Sequence, residues 1–507
     1  MAKRNLEKRK CDSFFSKMDR IALALSYGDV RLRTCYSDIV QSDTVLKSRF
    51  SRNVGLNVPI VSSPMDTVTE TEMAIAMAKF GGLGIIHKGL SPEKQAKVVR
   101  KVKHYLSAFI SDPITIRDGE TVENVLKMRQ AKGYGFSSFP VADESGNIVG
   151  IATRSYFDFC RDNQISIAQI MSKEIVSIPD GSSIEQAYEM MMDKHVRILP
   201  VFDDAGAFKG IYTLRDVKRI IEGNSVDFNL SADGTLRVGA AIGVGADAVE
   251  RMKLLAEAKV DVVVIDTAHG DSKGVINALK FCKKEYPHID VVAGNVSEGD
   301  SARRLADAGA DGVRVGQGPG SICTTRIIAG VGCPQVTAIY DCAKALRGYD
   351  VPVCGDGGIE YSGDITIGLA VGADCVMLGK LLAGTTESPG EIITSHGERP
   401  VKVYRGMGSL GAMLDNKASR ERYGQGSSTK EKLVPEGVEG VVDYKGDVGV
   451  MIYQLLGGLR SGMGYLGSKT ITVLQQKADF YQISSAGSKE SHPHGLLEMK
   501  KAPNYSA

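Results

Sequence analysis

Residues 261–267 read DVVVIDT, four consecutive apolar positions between two aspartates. A strand with one wet face alternates apolar and polar residues, whereas an unbroken apolar run belongs to a strand covered on both faces, as in a parallel sheet. Upstream lies DAVERMKLLAEAK (247–259), whose apolar residues recur at helical spacing; downstream, DVVAGNV (290–296) repeats the strand pattern. The unit recurs in both directions. VPIVSSP (58–64), GLGIIHK (82–88), VGAAIGV (238–244), GVRVGQG (312–318), VPVCGDG (351–357) and DCVMLGK (374–380) each end in a Gly-rich or polar turn, and segments such as DSARRLADAGA (300–310) separate the later ones. Eight such units predict an α/β fold closed as a (β/α)8 TIM barrel, with its chemistry on the loops that follow the strands. A doubly wound open sheet is the alternative, but eight strands with no evident reversal of order favour closure.

The 507 residues carry a net charge of +2, with 43% hydrophobic and 24% charged residues, an ordinary globular balance. No electrostatic footprint marks the chain for nucleic acid or an anionic membrane. There is no apolar run of spanning length, and the basic start MAKRNLEKRKCDSFF lacks the apolar core of a signal peptide. Nine scattered cysteines, odd in number and without a CxxC pair, point to reduced thiols in a cytoplasmic protein rather than to a disulfide framework or a zinc site.

Between the second and third units the rhythm breaks and an internal repeat appears. FPVADESGNIVGIATRSYFD (139–158) aligns with LPVFDDAGAFKGIYTLRDVK (199–218), and PITIRDGETVENVLKMRQAKG (113–133) with EIVSIPDGSSIEQAYEMMMDK (174–194). Two copies are too few for a solenoid and read as a paired module. They resemble tandem cystathionine-β-synthase (CBS) domains, a Bateman module, and the resemblance implies a site for ATP or GTP between the copies. The stretch Thr213–Asp216, TLRD, fits the pattern in which a hydroxyl and a carboxylate hold a ribose, while the first copy has Thr153-Arg-Ser-Tyr156 there. An insert with no ligand is the plain alternative. The expected organisation is a first part of the barrel at 1–109, the tandem module at 110–224, and the rest of the barrel at 225–507.

The stretch GQGPGSICTTR (316–326) follows the sixth strand, at the active edge of a barrel. Its alternating glycines let the backbone approach a ligand and turn carbonyl or N–H groups inward, and oriented N–H groups would favour a thiolate at Cys323. Cys282, Cys342, Cys354 and Cys375 fall in helix or strand patterns and read as small core hydrophobes. The same reading is available for Cys323, but its loop favours a nucleophile. The next two strands end in GDGGI (355–359) and LGKLLAG (378–384), where such barrels usually hold a phosphate. Asp356, between glycines, is placed for the diol of a ribose, so a nucleotide is the expected ligand. Residues 243–248, GVGADA, also match the dinucleotide fingerprint GxGxxA; third in an eight-unit series, they read as an ordinary strand-end turn. Beyond the eighth unit, NKASRERYGQGSSTKEKLVPEGVEG (416–440) is polar and has no hydrophobic period, which predicts a long mobile loop, a flap at about 415–440.

Together SSPMDTV (62–68), the cysteine loop, GDGG, YRGMGSLGAM (404–413), RERY and VPEGVEG closely resemble the inosine-5′-monophosphate (IMP) dehydrogenases, over nearly the whole chain. The cysteine loop alone is shared with the sister GMP reductases, which generally lack the Arg-Tyr flap. The resemblance implies NAD-dependent oxidation of IMP to XMP, the committed step of guanine nucleotide synthesis. Cys323 would attack C2 of the base, giving a covalent thioimidate. Ser63, Ser321, Asp356, Gly358, Gly379 and Tyr404 would hold phosphate and ribose, with Gly406, Met407, Gly408 and Glu436 at the base. Asp266, Asn295, Arg314 and Gly316 would line the nicotinamide side of NAD. After NADH leaves, the flap would enter the vacated site and Arg422, with Tyr423 and Thr325, would activate water. An arginine is an unusual base, so a relay from Thr325 to Glu436 is the other route.

The resemblance also implies a potassium ion, held by carbonyls of Gly318, Gly320 and Cys323 and, from a neighbouring subunit, by Glu490, Ser491 and His492. A shared cage implies a homotetramer, with pairing into octamers left open. Two tail histidines without further ligands argue against a transition-metal site there. One position departs from the family's commonest form: Lys380 follows Gly379 where a serine is usual. The competing readings are a GMP reductase and a nucleotide sensor whose barrel has lost catalysis.

Overall fold

The computed structural model describes residues 11–20, 23–106, 109–111, 113–132, 138–221, 227–394, 399–496 and 502–505. The chain divides into two compact units, residues 1–104 with 227–507, and residues 105–226. The second is a few residues longer at each end than the module expected at 110–224.

In the first unit the eight apolar runs form a closed parallel barrel: β1 (Ile60–Ser62), β2 (Leu83–Ile86), β3 (Val238–Ile242), β4 (Val262–Asp266), β5 (Asp290–Val296), β6 (Gly312–Val315), β7 (Val353–Asp356) and β8 (Cys375–Leu378). Closure comes from β8 pairing with β1, Val376 beside Ile60. The alternative of an open sheet is thereby excluded. Side chains pointing inward, among them Val61, Ile85, Val264, Val292 and Met377, are at most 1% exposed and fill the interior, so the barrel is a packed core. The turn between the short strands Ser48–Arg49 and Gly55–Leu56 caps its N-terminal end. Ser51 Oγ and Asn53 N donate to Asp290 Oδ2 at 2.6 and 2.7 Å, and Phe50 is fully buried. The opposite, C-terminal rim is therefore free for chemistry.

Helices α1 (Thr71–Lys79), α2 (Pro92–Lys103), α3 (Ala246–Glu257), α4 (Lys273–Glu285), α5 (Gly299–Asp307), α6 (Gln335–Ala345) and α7 (Ser362–Val371) follow β1 to β7 in turn, with the second unit inserted between α2 and β3. After β8 and the short α8 (Lys380–Ala383) the chain makes an excursion that includes α9 (Lys417–Arg422), β9 (Pro400–Arg405) and β10 (Glu439–Asp443). It returns through a helix at Val448–Tyr465, which buries Val448, Ile452, Leu455, Leu459 and Met463, one face at helical spacing.

The second unit repeats itself. Each copy has a short strand, a helix (Val122–Ala131 or Ile184–Asp193), a hairpin (Phe139–Ala142 with Ile148–Ala152, or Ile198–Phe202 with Phe208–Thr213) and a second helix. The hairpin register shifts at the equivalent place in both, Val141/Ala142 and Val201/Phe202. Each copy has its own core, around Phe139, Val141 and Phe157 in the first and Leu199, Val201 and Val217 in the second. Among the described residues, no helix is long and apolar enough to cross a membrane.

Candidate active site

The loop after β6 turns back over the barrel mouth at Gly316. Its φ of +148° and the collision a Cβ would make with Asp356 O leave room for no other residue. Cys323 N–H donates to Gly320 O at 3.0 Å, and the following residues start a short helix. Residues 436–438 then lace the loop to the excursion. Thr324 N–H donates to Glu436 O, Val438 N–H to Ile322 O, Gly406 N–H to Val438 O and Glu436 N–H to Gly408 O, all at 3.0 Å. Segments more than a hundred residues apart in sequence thus hold one another.

The lacing brings three side chains into line. The Cys323 thiol donates to Thr325 Oγ1 at 3.3 Å, and the Thr325 hydroxyl donates to Glu436 Oε2 at 2.8 Å. The arrangement offers a path for a proton from sulfur to a carboxylate through one hydroxyl. Cys282 and Cys342 are buried within helices and Cys354 and Cys375 within strands. Burial pushes the thiols of Cys282, to about 12, and of Cys342 and Cys375 above the ordinary value. Cys323 is half-buried and faces the cavity.

Opposite the thiol lies a second cluster, centred on Asp266 at the end of β4. Arg314, a fully buried guanidinium on β6, donates to one carboxylate oxygen of Asp266, and Arg422 of the flap donates to the other. Arg314 Nε also donates to Asn295 Oδ1 at 2.5 Å. Asn295 sits where the β5–β6 register shifts, and its Nδ2 donates to Gly316 O and Asp356 Oδ2, both at 2.8 Å. A bulge of this kind re-aims a side chain towards a site. Tyr423, beside Arg422, packs against Gly408, and its phenol is raised by burial. Tyr404, raised by burial to about 12, likewise keeps its proton.

The flap carries a short helix and a turn closed on itself. Within 415–440, α9 forms because Asn416 caps it, its Oδ1 accepting from Ala418 N–H at 2.8 Å while its Nδ2 donates to Gly89 O at 2.6 Å. Gln425 and Val434 exchange two hydrogen bonds, at 2.9 and 2.8 Å, which close the rest of the loop on itself. The flap is docked on the barrel, with Ala268 N–H donating to Arg422 O at 3.4 Å.

One cavity of about 260 Å³ collects nearly all the site residues read from the sequence: those assigned to the reaction, the nucleotide and the dinucleotide, and also Gly318 and Gly320. Glu490, Ser491 and His492 do not line it. Ser491 and His492 line a neighbouring cavity with Pro319, Arg326 and Tyr361, where His492 Nδ1 hydrogen-bonds Tyr505 Oη at 2.9 Å, and Glu490 is exposed. The GVGADA turn (243–248) lies outside the active cavity.

Sequence reading missed Lys88. It ends the GLGIIHK run, is 5% exposed, and its Nζ donates to Asp266 O at 2.8 Å. A lysine within an otherwise apolar strand end was the available signal. Asp247 and Arg251 of α3, Asp266 of β4, and Arg422 and Glu421 of α9 surround it; burial first, then Arg422, lowers its pKa to about 7. In the unfolded chain Lys88 keeps its proton to about pH 10.5, so between about 7 and 10.5 the unfolded state binds more protons and stability rises with pH. Lys88→Met should flatten this rise, by up to about 1.4 kcal/mol per pH unit, measured as urea midpoints between pH 7 and 9. Equal slopes in both proteins would refute the assignment.

Comparison with known protein families matches residues 24–494 to the IMP dehydrogenase / GMP reductase domain. The chain is 47% identical over 490 residues to an inosine-5′-monophosphate dehydrogenase of Aquifex aeolicus, covering 96% of this chain and 98% of that one. It is 45% identical over 487 residues to that of Bacillus subtilis, covering 95% and 98%. Among solved structures, a cysteine-to-alanine variant of GMP reductase from Trypanosoma brucei in complex with guanosine 5′-monophosphate superposes with a TM-score of 0.84, at 38% identity, over 95% of this chain and 100% of that one. With a barrel whose cysteine loop, flap and turns after β7 and β8 meet in one cavity, the chain belongs to the IMP dehydrogenase / GMP reductase family.

Proposed function

We propose that the chain oxidises IMP to XMP with NAD⁺, the committed step of guanine nucleotide synthesis, as the names of its curated relatives imply. The observation that carries the reading is the line Cys323–Thr325–Glu436 facing Arg422 docked on Asp266. Cys323 Sγ bonds to C2 of the hypoxanthine, and NAD⁺ supplies the acceptor for the hydride that C2 loses. Asp266, Asn295 and Arg314 line the nicotinamide side. Ser63, Ser321, Asp356, Gly358, Gly379 and Tyr404 hold the ribose phosphate, and Gly406, Met407 and Gly408 the base. Water then adds to C2 and the C–S bond breaks, releasing XMP and the thiol.

Two groups compete to take the proton from that water. Arg422 is ion-paired with Asp266, so its guanidinium is already engaged on the dinucleotide side of the proposed site. Glu436 accepts a hydrogen bond from Thr325 at 2.8 Å. This geometry favours the relay: Thr325 passes the proton to Glu436, while Arg422 and Tyr423 close the site and orient the water.

Carbonyl oxygens of Gly318, Gly320 and Cys323 fit a monovalent cation, being neutral donors on one loop; Gly320 O keeps a lone pair beyond its bond to Cys323 N–H. The ion would stiffen the loop. Completion of the cage by Glu490, Ser491 and His492 of another copy makes the working form a homotetramer, in a cytosol that keeps its cysteines reduced. In the second unit, a cavity of about 480 Å³ is lined by Thr153, Arg154, Tyr156, His195 and Arg197. Its basic side chains suit the phosphates of ATP or GTP, making the unit a regulatory CBS pair. Either nucleotide should shift activity or sedimentation, and no change in both would make the insert structural.

NADH absorbance with IMP, NAD⁺ and KCl tests the main reading, with LiCl substituted in a parallel run. Steady NADH with XMP formed is expected, and loss in Li⁺ supports the cation. The structural similarity to a GMP reductase gives the second reading its weight: NADPH consumption with GMP, and no NADH from IMP, would establish it.

A further inference from the structure

Helix α9 of the flap has six residues, too few to hold a helix alone in water, so it depends on what grips its two ends. At its start, Asn416 Nδ2 donates to Gly89 O at 2.6 Å. At its finish, Arg422 donates to the Asp266 carboxylate, and Ala268 N–H donates to Arg422 O at 3.4 Å. Lys88 touches both grips. It precedes Gly89 in the chain, and its Nζ donates to Asp266 O at 2.8 Å. Lys88 and Arg422 thus meet on one aspartate, the lysine at its main-chain oxygen and the arginine at its carboxylate. The turn that carries Lys88 is itself fixed. Gly89 N–H donates to His87 Nδ1 at 3.1 Å, His87 Nε2 hydrogen-bonds Glu70 Oε1 at 3.2 Å, and a Cβ on Gly89 would stand 2.7 Å from Asn416 Nδ2.

Every carboxylate near Lys88 already has a partner. Asp247 pairs with Arg251 at 2.8 Å, Glu421 with Lys417 at 3.4 Å and Glu70 with His87, while Arg314 and Arg422 take the two oxygens of Asp266. Among the described residues Lys88 makes no ion pair; its one hydrogen bond goes to a neutral carbonyl. A buried ammonium without a counter-charge is costly, and Arg422 adds a like charge beside it. Burial and then Arg422 accordingly bring Lys88 down to about 7. The coupling is reciprocal: a protonated Lys88 disfavours Arg422 on its seat as much as a seated Arg422 disfavours the proton on Lys88.

We propose that Lys88 is the positioning residue of the flap: without its proton it lets α9 dock with Arg422 on Asp266, and with its proton it holds α9 off. Docking then releases a proton, so it strengthens as pH rises through the lysine's range and levels off above it. The assignment rests on the reading of this segment as a flap that closes for hydrolysis, and adds to it the group that controls closure.

Amide hydrogen exchange across residues 417–423 of the full chain, without ligand, tests it between about pH 6 and 9. Rates are corrected for intrinsic exchange and referred to the helix at Val448–Tyr465, which reports on the barrel. In the wild type, protection of α9 should rise about tenfold over this range, the equivalent of one pKa unit between docked and free flap. Lys88→Met, which fills similar space without charge, should keep the high-pH protection throughout. Lys88→Arg, charged at every pH, should keep the low-pH protection throughout; in rapid mixing with IMP and NAD⁺ its NADH burst should persist while hydrolysis slows about tenfold. A merely structural role would move both variants in the same direction. The same pH dependence in all three proteins, a parallel change in both variants, or unslowed hydrolysis in Lys88→Arg would overturn the proposal. If protection follows the charge at residue 88 but none of the proteins forms NADH, the dehydrogenase reading falls and the control of the flap stands.

Discussion

Cys323→Ala should remove turnover, by at least about 10⁴-fold, while IMP affinity changes by less than about threefold. The asymmetry follows from where the sulfur stands. Among the described residues its sulfur makes one weak hydrogen bond, to Thr325 at 3.3 Å, and its neighbours are held by the backbone lacing of residues 322–324 to 436–438. Deleting the thiol therefore leaves the cavity walls in place and removes only the atom proposed to bond to C2. Without it, hydride would have to leave an unactivated purine. Steady NADH formation measures the first quantity and calorimetry with IMP the second. A variant with appreciable turnover would show that chemistry proceeds without a covalent step.

Arg422→Ala should separate the two halves of the reaction. The flap's guanidinium sits on Asp266, on the side proposed for the nicotinamide, and the proposed mechanism has it contribute only after the dinucleotide has gone. Hydride transfer should remain fast, and hydrolysis should slow by about 10² to 10³-fold, the usual range for a lost proton-handling or orienting group. Rapid mixing with IMP and NAD⁺ would then show a burst of NADH near one per active site, followed by a slow phase. A slowed burst would place Arg422 in the first half and refute the assignment. Glu436→Gln distinguishes the routes for the water proton, because it disables the relay and leaves the flap anchor intact. If Glu436→Gln hydrolyses as fast as wild type, Arg422 must take the proton itself.

The barrel was legible because each of its strands is covered on both faces, so the sequence writes most of them as short runs dominated by apolar residues, broken mainly where a side chain such as Asn295 or Arg314 serves the rim. Cys323 was legible because a thiol among glycines has no packing reason to be there. The structure supplied what depends on distant chain meeting distant chain. Asp266 reads as the last residue of a strand, and nothing near it announces that it holds both Arg314 and Arg422. Lys88 and Gln95 lie under the rim with their polar ends on main-chain oxygens of β2–β4 and their flanking residues, a partnership invisible to periodicity. Helix α9 escaped because its residues KASRER carry no apolar stripe; Asn416 at its start was the one local cue.

The route of the chain through the barrel also governs its birth on the ribosome. β1 and β2 emerge first, yet β2 pairs with β3 and β1 with β8, Gly84 beside Val238 and Ile60 beside Val376. At about 5–20 residues per second, synthesis of the intervening insert alone takes on the order of ten seconds. Throughout that wait Val61, Leu83 and Ile85, destined for full burial, have only part of the barrel to pack against. The insert, with a separate core in each copy, has all its own contacts within reach as soon as it is made. Translation should thus yield a finished second unit tethered to an unfinished first one, whose exposed strands need chaperone shelter until residue 378 has left the tunnel.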